Sequence, residues 1–172
     1  MSPHPTLPPP RTPGRYSVAL VCLGNICRSP MADVVLTARV EEAGLAGRVA
    51  VVSSGTGDWH VGNPMDARAA ATLTAAGYDP SLHRARHWST AWLEEHDLVL
   101  AMDGSNLAGV GGAGERVRLF RDFDPVEPGG EVPDPYYGGD DGFEEVLTMV
   151  ERTCTVIVGA LQEELLQEPD ES

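Results

Sequence analysis

The sequence predicts an α/β fold, a three-layer sandwich in which a four-stranded parallel sheet carries helices on both faces. Four short segments read as strands, at residues 18–21, 49–52, 98–101 and 117–120; the first three are continuous apolar runs, and the fourth contains Arg118. Segments with apolar residues at helical spacing separate these runs, and strands that alternate with helices form parallel sheets. The 172 residues suit one domain, and the sequence shows no internal repeat.

The helices have recognisable starts or ends. Ser29 followed by Pro30 predicts an N-cap and a first turn, and this helix is expected to end near Gly44. The next predicted helix covers residues 66–76. Short helices are predicted at residues 89–96 and from about residue 105, and a long helix with one apolar face begins near residue 143. Residues 122–142 are rich in proline and glycine and are expected to form a polar loop.

Composition divides the chain into three regions. Residues 1–15 contain six prolines and no apolar run, so they are expected to be a disordered extension rather than a targeting segment. Residues 16–166 form the predicted domain, and residues 167–172 form an acidic tail. No apolar run approaches the ~20 residues needed to cross a membrane.

The chain is acidic, and its charge is unevenly distributed. The formal net charge is −14; residues 1–90 carry eight arginines and six acidic residues, whereas residues 91–172 carry four arginines and twenty acidic residues. Such a chain should repel nucleic acids and anionic membranes, so neither is an expected partner. Three cysteines do not suggest the disulfide framework of a secreted protein, which favours a cytoplasmic location.

The segment between the first predicted strand and its helix, residues 22–29, carries the candidate chemistry. Ligands of open parallel sheets bind beyond the carboxyl ends of the strands, where backbone N–H groups and a helix N-terminus favour an anion. Cys22 opens this loop and Arg28 closes it. The N–H groups, Arg28 and the Ser29 hydroxyl would favour the nucleophilic thiolate. The planar guanidinium can hold two phosphoryl oxygens. The loop therefore predicts a cysteine nucleophile that attacks a phosphoryl group.

Three motifs resemble those of the low-molecular-weight protein tyrosine phosphatases, and they occur in that family's order. The first is the signature Cys-x5-Arg-Ser at residues 22–29. Residues 53–59 resemble the family's variable aromatic loop, with Ser54 in place of the usual alanine, and residues 134–138 resemble its acid loop. Three ordered motifs are more specific than an isolated Cys-x5-Arg. The resemblance extends from about residue 16 to residue 166.

The resemblance implies a role for each matching residue. Cys22 would be the nucleophile, Arg28 would bind the phosphate, and Asp134 would act first as general acid and then as general base. The phosphate loop and the walls around the substrate would be completed by Leu23, Gly24, Asn25, Ile26, Cys27, Ser29, Trp59, Tyr136 and Tyr137. A supporting hydrogen-bond network would consist of Asn25, Ser29, Ser53 and His83. The resemblance implies neither a metal nor a cofactor.

The reaction implied by the resemblance is hydrolysis of phosphotyrosine in proteins through a cysteinyl-phosphate intermediate. The expected partners are phosphotyrosine proteins, a tyrosine kinase that acts on the same proteins, and inorganic phosphate or another oxyanion in the loop. The family also implies a phosphate loop directly after strand 1 and a role in bacterial signalling.

Other functions fit the residues less well. Cys22, Cys27, His83 and His87 could bind zinc, but the gap between the two pairs is too long for a standard zinc finger. Arsenate reduction on this fold needs further cysteines near the third strand, and residues 98–106 contain none. Phosphoarginine hydrolysis is typical of relatives with threonine in place of Ile26. A non-catalytic phosphotyrosine-binding module would lack the cysteine or the acid.

The remaining cysteine and histidine positions give three further expectations. Cys22 and Cys27 share one loop, so we expect a reversible disulfide between them under mild peroxide. Cys154 falls on the apolar face of the last helix and is expected in the core. His60, His87 and His96 have no evident partner in the sequence and are expected at the surface.

Overall fold

A four-stranded parallel sheet forms the middle layer of the structure, a computed structural model that describes residues 5–137 and 140–166. β1 (Tyr16–Cys22) lies between β2 (Val49–Gly55) and β3 (Leu98–Ala101), and β4 (Val117–Leu119) lies at the edge beside β3. All three strand pairs are parallel, with Cys22 opposite Gly55. The predicted sheet is therefore confirmed.

Helices cover both faces of this sheet. They are α1 (Arg28–Glu42), α2 (Ala67–Ala75), α3 (Trp92–Glu95), α4 (Gly104–Gly109) and α5 (Asp140–Leu166). Two 3-10 turns were not predicted. Phe120–Phe123 begins at the last residue of the predicted fourth strand and runs into the predicted polar loop, and Pro135–Tyr137 lies within that loop. Within the described residues, no helix has the length and apolar composition needed to span a membrane.

The central strand contributes to two separate cores, because successive side chains of a strand point to opposite faces. Val18 and Leu20 belong to the larger core, which includes buried residues of α1, α2 and α5. Ala19 and Val21 belong to the smaller core, where Trp88 is also buried. These two cores establish the three-layer arrangement. Cys154 is fully buried in the larger one, as predicted.

Residues 5–15 pack against the domain, in contrast to the disorder expected from their proline content. Leu7 is buried in the larger core, and the Tyr16 hydroxyl donates to Pro8 O at 2.9 Å. The Arg11 N–H donates to the carboxylate of buried Asp97 at 2.7 Å. Buried polar groups such as the Tyr16 hydroxyl and the Asp97 carboxylate need partners, and this segment supplies them. Residues 1–4 of the predicted extension and the predicted tail at 167–172 lie outside the described residues.

Candidate active site

A left-handed backbone at Asn25 turns the loop between β1 and α1. Its φ is +57°, and no other non-glycine residue in the described part of the chain has a positive φ. Asparagine tolerates this conformation better than most residues, although it still costs on the order of 1 kcal/mol. The turn folds the loop back over the end of β1, where the Asn25 N–H donates to Cys22 Sγ at 3.3 Å.

Four hydrogen bonds hold the buried Asn25 in this conformation. Its Nδ2 donates to Ser29 Oγ at 2.8 Å and to Ser53 Oγ at 3.0 Å. Its Oδ1 accepts from Arg86 N at 2.8 Å, and its carbonyl oxygen bonds His83 Nε2 at 2.7 Å. Because a carbonyl oxygen only accepts, His83 carries a proton on Nε2. Burial lowers the pKa of His83. The structure thus brings together the four residues of the predicted network.

The loop also lies against the end of β2, at a point where a side chain would not fit. A Cβ atom on Gly55 would lie 2.7 Å from Leu23 O and 3.0 Å from Asn25 N. Two residues later, the Gly57 N–H donates to Leu23 O at 2.8 Å. Glycine at position 55 therefore lets the segment after β2 support the phosphate loop directly.

Cys22 is the last residue of β1 and lies at the bottom of the loop, where only 3% of its surface is exposed. Ser29 Oγ is 3.0 Å from Cys22 Sγ. The prediction that Ser29 caps α1 is wrong, because the helix begins at Arg28 and its N-cap, Cys27, makes no side-chain cap bond. The Ser29 hydroxyl accepts from Asn25 Nδ2, and its one proton faces two acceptors, Cys22 Sγ at 3.0 Å and Ser54 O at 3.4 Å, of which the sulfur is the nearer. At the start of α1, the N–H groups of Arg28 and Ser29 are placed to bind an anion, whereas Pro30 has no N–H and the Met31 N–H donates to Cys27 O at 3.0 Å.

Arg28 is buried and is oriented by groups from two other segments. Its Nη1 donates to Asp103 Oδ2 at 2.6 Å and to Val132 O at 3.1 Å, and its Nη2 lies 3.6 Å from Asp134 Oδ2. Asp103 is fixed in turn, because its Oδ1 accepts from Asn106 N and caps α4. The guanidinium therefore has a defined plane beside the phosphate loop.

Asp134 lies in the connection between β4 and α5, with its side chain 32% exposed. Its Oδ1 accepts from the Tyr136 N–H at 3.1 Å. On the N-terminal side, buried Val132 anchors the connection, since its N–H donates to Met102 O at 2.8 Å. These contacts place an accessible carboxylate beside the phosphate-loop arginine.

A cavity of about 300 Å³ opens between these segments. Its walls come from the phosphate loop, the segment after β2 and the acid loop, and the lining residues are Cys22, Leu23, Gly24, Ile26, Cys27, Arg28, Trp59, His60, Asp134 and Tyr136. Trp59 is 68% exposed, and its indole ring lies over Gly57, where a Cβ atom would overlap it. Tyr136 is 40% exposed. The side chain of Tyr137, a predicted wall residue, lies outside the described part of the structure.

Two residues of the site were missed by the sequence analysis. His60, expected at the surface, lines the cavity and approaches Gly24, where a Cβ atom would lie 3.1 Å from the imidazole. Its position next to Trp59 in the same loop was the available signal. Asp103 follows β3 at the same edge of the sheet, so the rule that ligands bind beyond strand ends could have identified it.

The zinc alternative gains no support from the geometry. Among the described residues there is no group of three or more His, Cys, Asp or Glu side chains that could hold a metal ion. His83 and His87 make other contacts: His83 bonds the Asn25 carbonyl, and His87 Nε2 lies 3.2 Å from Thr56 O.

Comparison with known proteins identifies the class of this fold and site. The family model described as low molecular weight phosphotyrosine protein phosphatase matches residues 17–167. A low molecular weight protein-tyrosine-phosphatase of Streptomyces coelicolor is 47% identical over 158 residues, which is 87% of this chain and 96% of the relative. Low molecular weight protein-tyrosine phosphatase A of Mycobacterium tuberculosis is 45% identical over 139 residues, 78% of this chain and 84% of the relative.

Solved structures agree with the sequence relatives. YfkJ from Bacillus subtilis superposes with a TM-score of 0.81 at 34% identity, covering 87% of this chain and 96% of that chain. A protein tyrosine phosphatase from Entamoeba histolytica gives a TM-score of 0.81 at 30% identity, covering 86% of this chain and 97% of that chain. The chain belongs to the low molecular weight phosphotyrosine protein phosphatase family, and it is a phosphatase.

Proposed function

We propose that this protein hydrolyses phosphotyrosine in proteins through a cysteinyl-phosphate intermediate. The observation that carries the proposal is that one cavity is lined by Cys22, Arg28 and Asp134, although Asp134 is more than a hundred residues from the other two in the sequence. A nucleophile, an anion-binding group and a proton donor are the three groups that phosphate-ester cleavage requires.

In the first step, Cys22 Sγ attacks phosphorus, and a sulfur–phosphorus bond forms as the bond to the tyrosyl oxygen breaks. Asp134 donates its proton to that leaving oxygen. Arg28 and the N–H groups of the loop stabilise the charge on the equatorial phosphoryl oxygens. The Ser29 hydroxyl, 3.0 Å from Sγ, stabilises the thiolate.

In the second step, water attacks the cysteinyl phosphate. Asp134, now a carboxylate, takes a proton from that water, the sulfur–phosphorus bond breaks, and inorganic phosphate leaves as the thiolate is restored. A structure of the Entamoeba histolytica relative has Hepes in its active site, and Hepes carries a sulfonate group. That occupancy supports a tetrahedral oxyanion as the ligand of the loop in this chain.

The exposed aromatic walls favour a phosphorylated ring over an alkyl phosphate. Trp59 and Tyr136 flank the cavity, and flat rings stack favourably on such side chains. The partners that we propose are therefore phosphotyrosine proteins and the tyrosine kinase that produces them. We propose that the protein acts on them in the cytoplasm, in a signalling role.

The proposal is tested by phosphate release from a phosphotyrosyl peptide, with phosphoserine and phosphoarginine peptides as comparison substrates. Cys22→Ser should abolish turnover, because no adjacent base is available to ionise serine, yet it should still bind the peptide. Cys154→Ser, in the core, is the matched control and should keep its activity as long as it remains folded. Residual activity of Cys22→Ser within about tenfold of wild type would refute the covalent mechanism. Faster turnover of phosphoarginine would refute the substrate class.

A further inference from the structure

Asp66 links the start of α2 to the phosphate loop. Its N–H donates to the Ile26 carbonyl at 2.9 Å. Its carboxylate caps α2, accepting from the N–H groups of Arg68 at 2.8 Å and Ala69 at 3.4 Å. Burial acts to raise the pKa of Asp66, but hydrogen bonds from Arg68 outweigh it and hold the pKa below its ordinary value. Asp66 is therefore a fixed carboxylate attached to the phosphate loop.

Arg68 connects this carboxylate to the acid loop. Its Nε and Nη2 donate to the two oxygens of Asp66 at 3.3 and 3.2 Å. The same Nη2 donates to the Tyr136 carbonyl at 3.0 Å. The guanidinium carbon also lies 5.4 Å from the centre of the Tyr136 ring and 4.8 Å from that of Phe143. One side chain thus contacts the helix cap, the acid loop and the start of α5.

Tyr136 links the contacts of Arg68 to Asp134, the proposed acid. The Tyr136 N–H donates to Asp134 Oδ1, so the peptide segment that Arg68 holds is the one that orients the carboxylate. The other side of Asp134 is anchored independently, because Val132 O accepts from Arg28 Nη1. Asp134 is therefore bracketed by two arginines, of which one belongs to the phosphate loop and the other is tied to it through Asp66.

We infer that Arg68 is a positioning residue for Asp134: it holds the acid loop at a fixed distance from the phosphate loop, so that the acid reaches the leaving oxygen. This inference rests on the proposed function, in which Asp134 is the general acid. The geometry explains the residue type, since a planar fork can bond a carboxylate and a carbonyl while its flat face stacks on an aromatic ring. Lysine could keep one of these contacts at a time.

The test is kcat/KM of Arg68→Gln on a series of aryl phosphates that runs from 4-nitrophenyl phosphate to a phosphotyrosyl peptide. This parameter reports the steps up to departure of the leaving group, so hydrolysis of the intermediate does not enter it. A displaced acid should reduce kcat/KM roughly ten- to a hundredfold on phosphotyrosine. The loss on 4-nitrophenyl phosphate should stay within about threefold, because nitrophenolate leaves without a proton.

Three further variants separate positioning from general damage. Arg68→Lys should have a higher kcat/KM on phosphotyrosine than Arg68→Gln, although lower than wild type. It also provides a second folded variant. Arg39→Gln is the matched control, because Arg39 also pairs with a carboxylate, of Glu151, and also lies over a tyrosine ring, of Tyr78, but away from the acid loop. Arg39→Gln should have the kcat/KM of wild type on every substrate in the series. In an Asp134→Asn background, Arg68→Gln should change kcat/KM by less than about twofold, because both changes remove the same contribution.

The outcomes distinguish this inference from the function on which it rests. Equal losses on all leaving groups, or full additivity with Asp134→Asn, would show that Arg68 does not act through the acid. If Asp134→Asn slows poor leaving groups selectively while Arg68→Gln does not, the acid assignment stands and only the inference fails. If Asp134→Asn itself shows no dependence on the leaving group, both are overturned.

Discussion

Cys22 and Cys27 lie in one loop but in different surroundings. Both line the cavity, and both are free thiols in the structure. Cys22 Sγ accepts a hydrogen bond from the Asn25 N–H and lies beside the Ser29 hydroxyl. Burial raises the pKa of the Cys27 thiol, and the nearby Asp66 carboxylate acts in the same direction. At neutral pH, Cys27 is therefore a protonated thiol, and Cys22 is the expected target of an oxidant.

This difference predicts a protective role for Cys27 under mild peroxide. Peroxide should convert Cys22 to a sulfenic acid, and the Cys27 thiol should then attack its sulfur, releasing water and forming a disulfide. Dithiothreitol should restore activity to oxidised wild type, whereas Cys27→Ser should lose activity irreversibly as Cys22 is oxidised further. Cys154→Ser is the control and should behave as wild type, because Cys154 is fully buried. Full recovery of Cys27→Ser would show that Cys27 is not a resolving thiol.

At the residue scale, the sequence indicated which side chains lie together better than it indicated backbone conformation. The resemblance in residues 22–29 implied a network around Asn25, and the structure brings its members together. The left-handed backbone of Asn25 and the shift of the helix start to Arg28 were not predicted. The Ser29 hydroxyl, which could have capped a helix, instead contacts Asn25 Nδ2 and Cys22 Sγ. Local sequence does not decide between these alternatives, because the choice depends on Ser53 and on packing from β2.

At the scale of elements, a buried ion cluster joins the connection after β4 to α5. Asp124 is 1% exposed and lies between Arg121, whose Nε is 2.8 Å from Oδ2, and Arg152, whose Nε is 2.8 Å from Oδ1. Arg121 Nη1 also donates to Glu131 O at 2.7 Å. The cluster thus fixes the base of the segment that carries Asp134 three residues later.

Removing this carboxylate should destabilise the fold. Asp124→Asn leaves two arginines without their shared buried counter-charge, and the free energy of unfolding at pH 7 should fall by about 3–5 kcal/mol. Glu127→Gln is the matched control: Glu127 also pairs with Arg121, at 3.1 Å, but its side chain is 71% exposed. The control should cost less than about 1 kcal/mol. Urea unfolding measures both, and similar losses would show that burial of the Asp124 pair is unimportant.

The same variant has a defined pH dependence. Burial acts to raise the pKa of Asp124, but hydrogen bonds from Arg152, the Val126 N–H and Arg121 outweigh it and hold the pKa well below its ordinary value. A lowered folded-state pKa stabilises the protein above the unfolded value, and this contribution is lost as the pH falls towards the folded value. The stability difference between wild type and Asp124→Asn should therefore be constant at neutral pH and shrink below about pH 4.

The elements themselves were largely predictable, whereas the contacts between distant segments were not. Apolar runs and helical spacing indicated the four strands and the α-helices. The packing of residues 5–15 on Asp97 and the pairing of Arg28 with Asp103 join positions more than seventy residues apart. Such pairs follow from tertiary packing, and a single sequence shows only that each charge exists.

At the scale of the whole molecule, the sheet topology assembles the site. β1 is central, with β2 on one side and β3 on the other, so the segments after all three strands meet at one edge. They supply Cys22, Trp59 and Asp103, and the connection after β4 brings Asp134 to the same place. The net charge of −14 opposes anion binding at long range, so the proposed function depends on local groups, the buried Arg28 and the N-terminus of α1.

The central claim is that the phosphoryl group passes through Cys22, and its most direct test is to capture the intermediate. The enzyme is mixed with 4-nitrophenyl phosphate, denatured within its first turnovers, digested and analysed by mass spectrometry. Asp134→Asn should accumulate more of the intermediate, because the base for its hydrolysis is removed. The account predicts one phosphoryl group per protein, attached to the peptide that contains Cys22. Turnover with Cys22 never modified, or with the phosphoryl group on another residue such as His60, would contradict it.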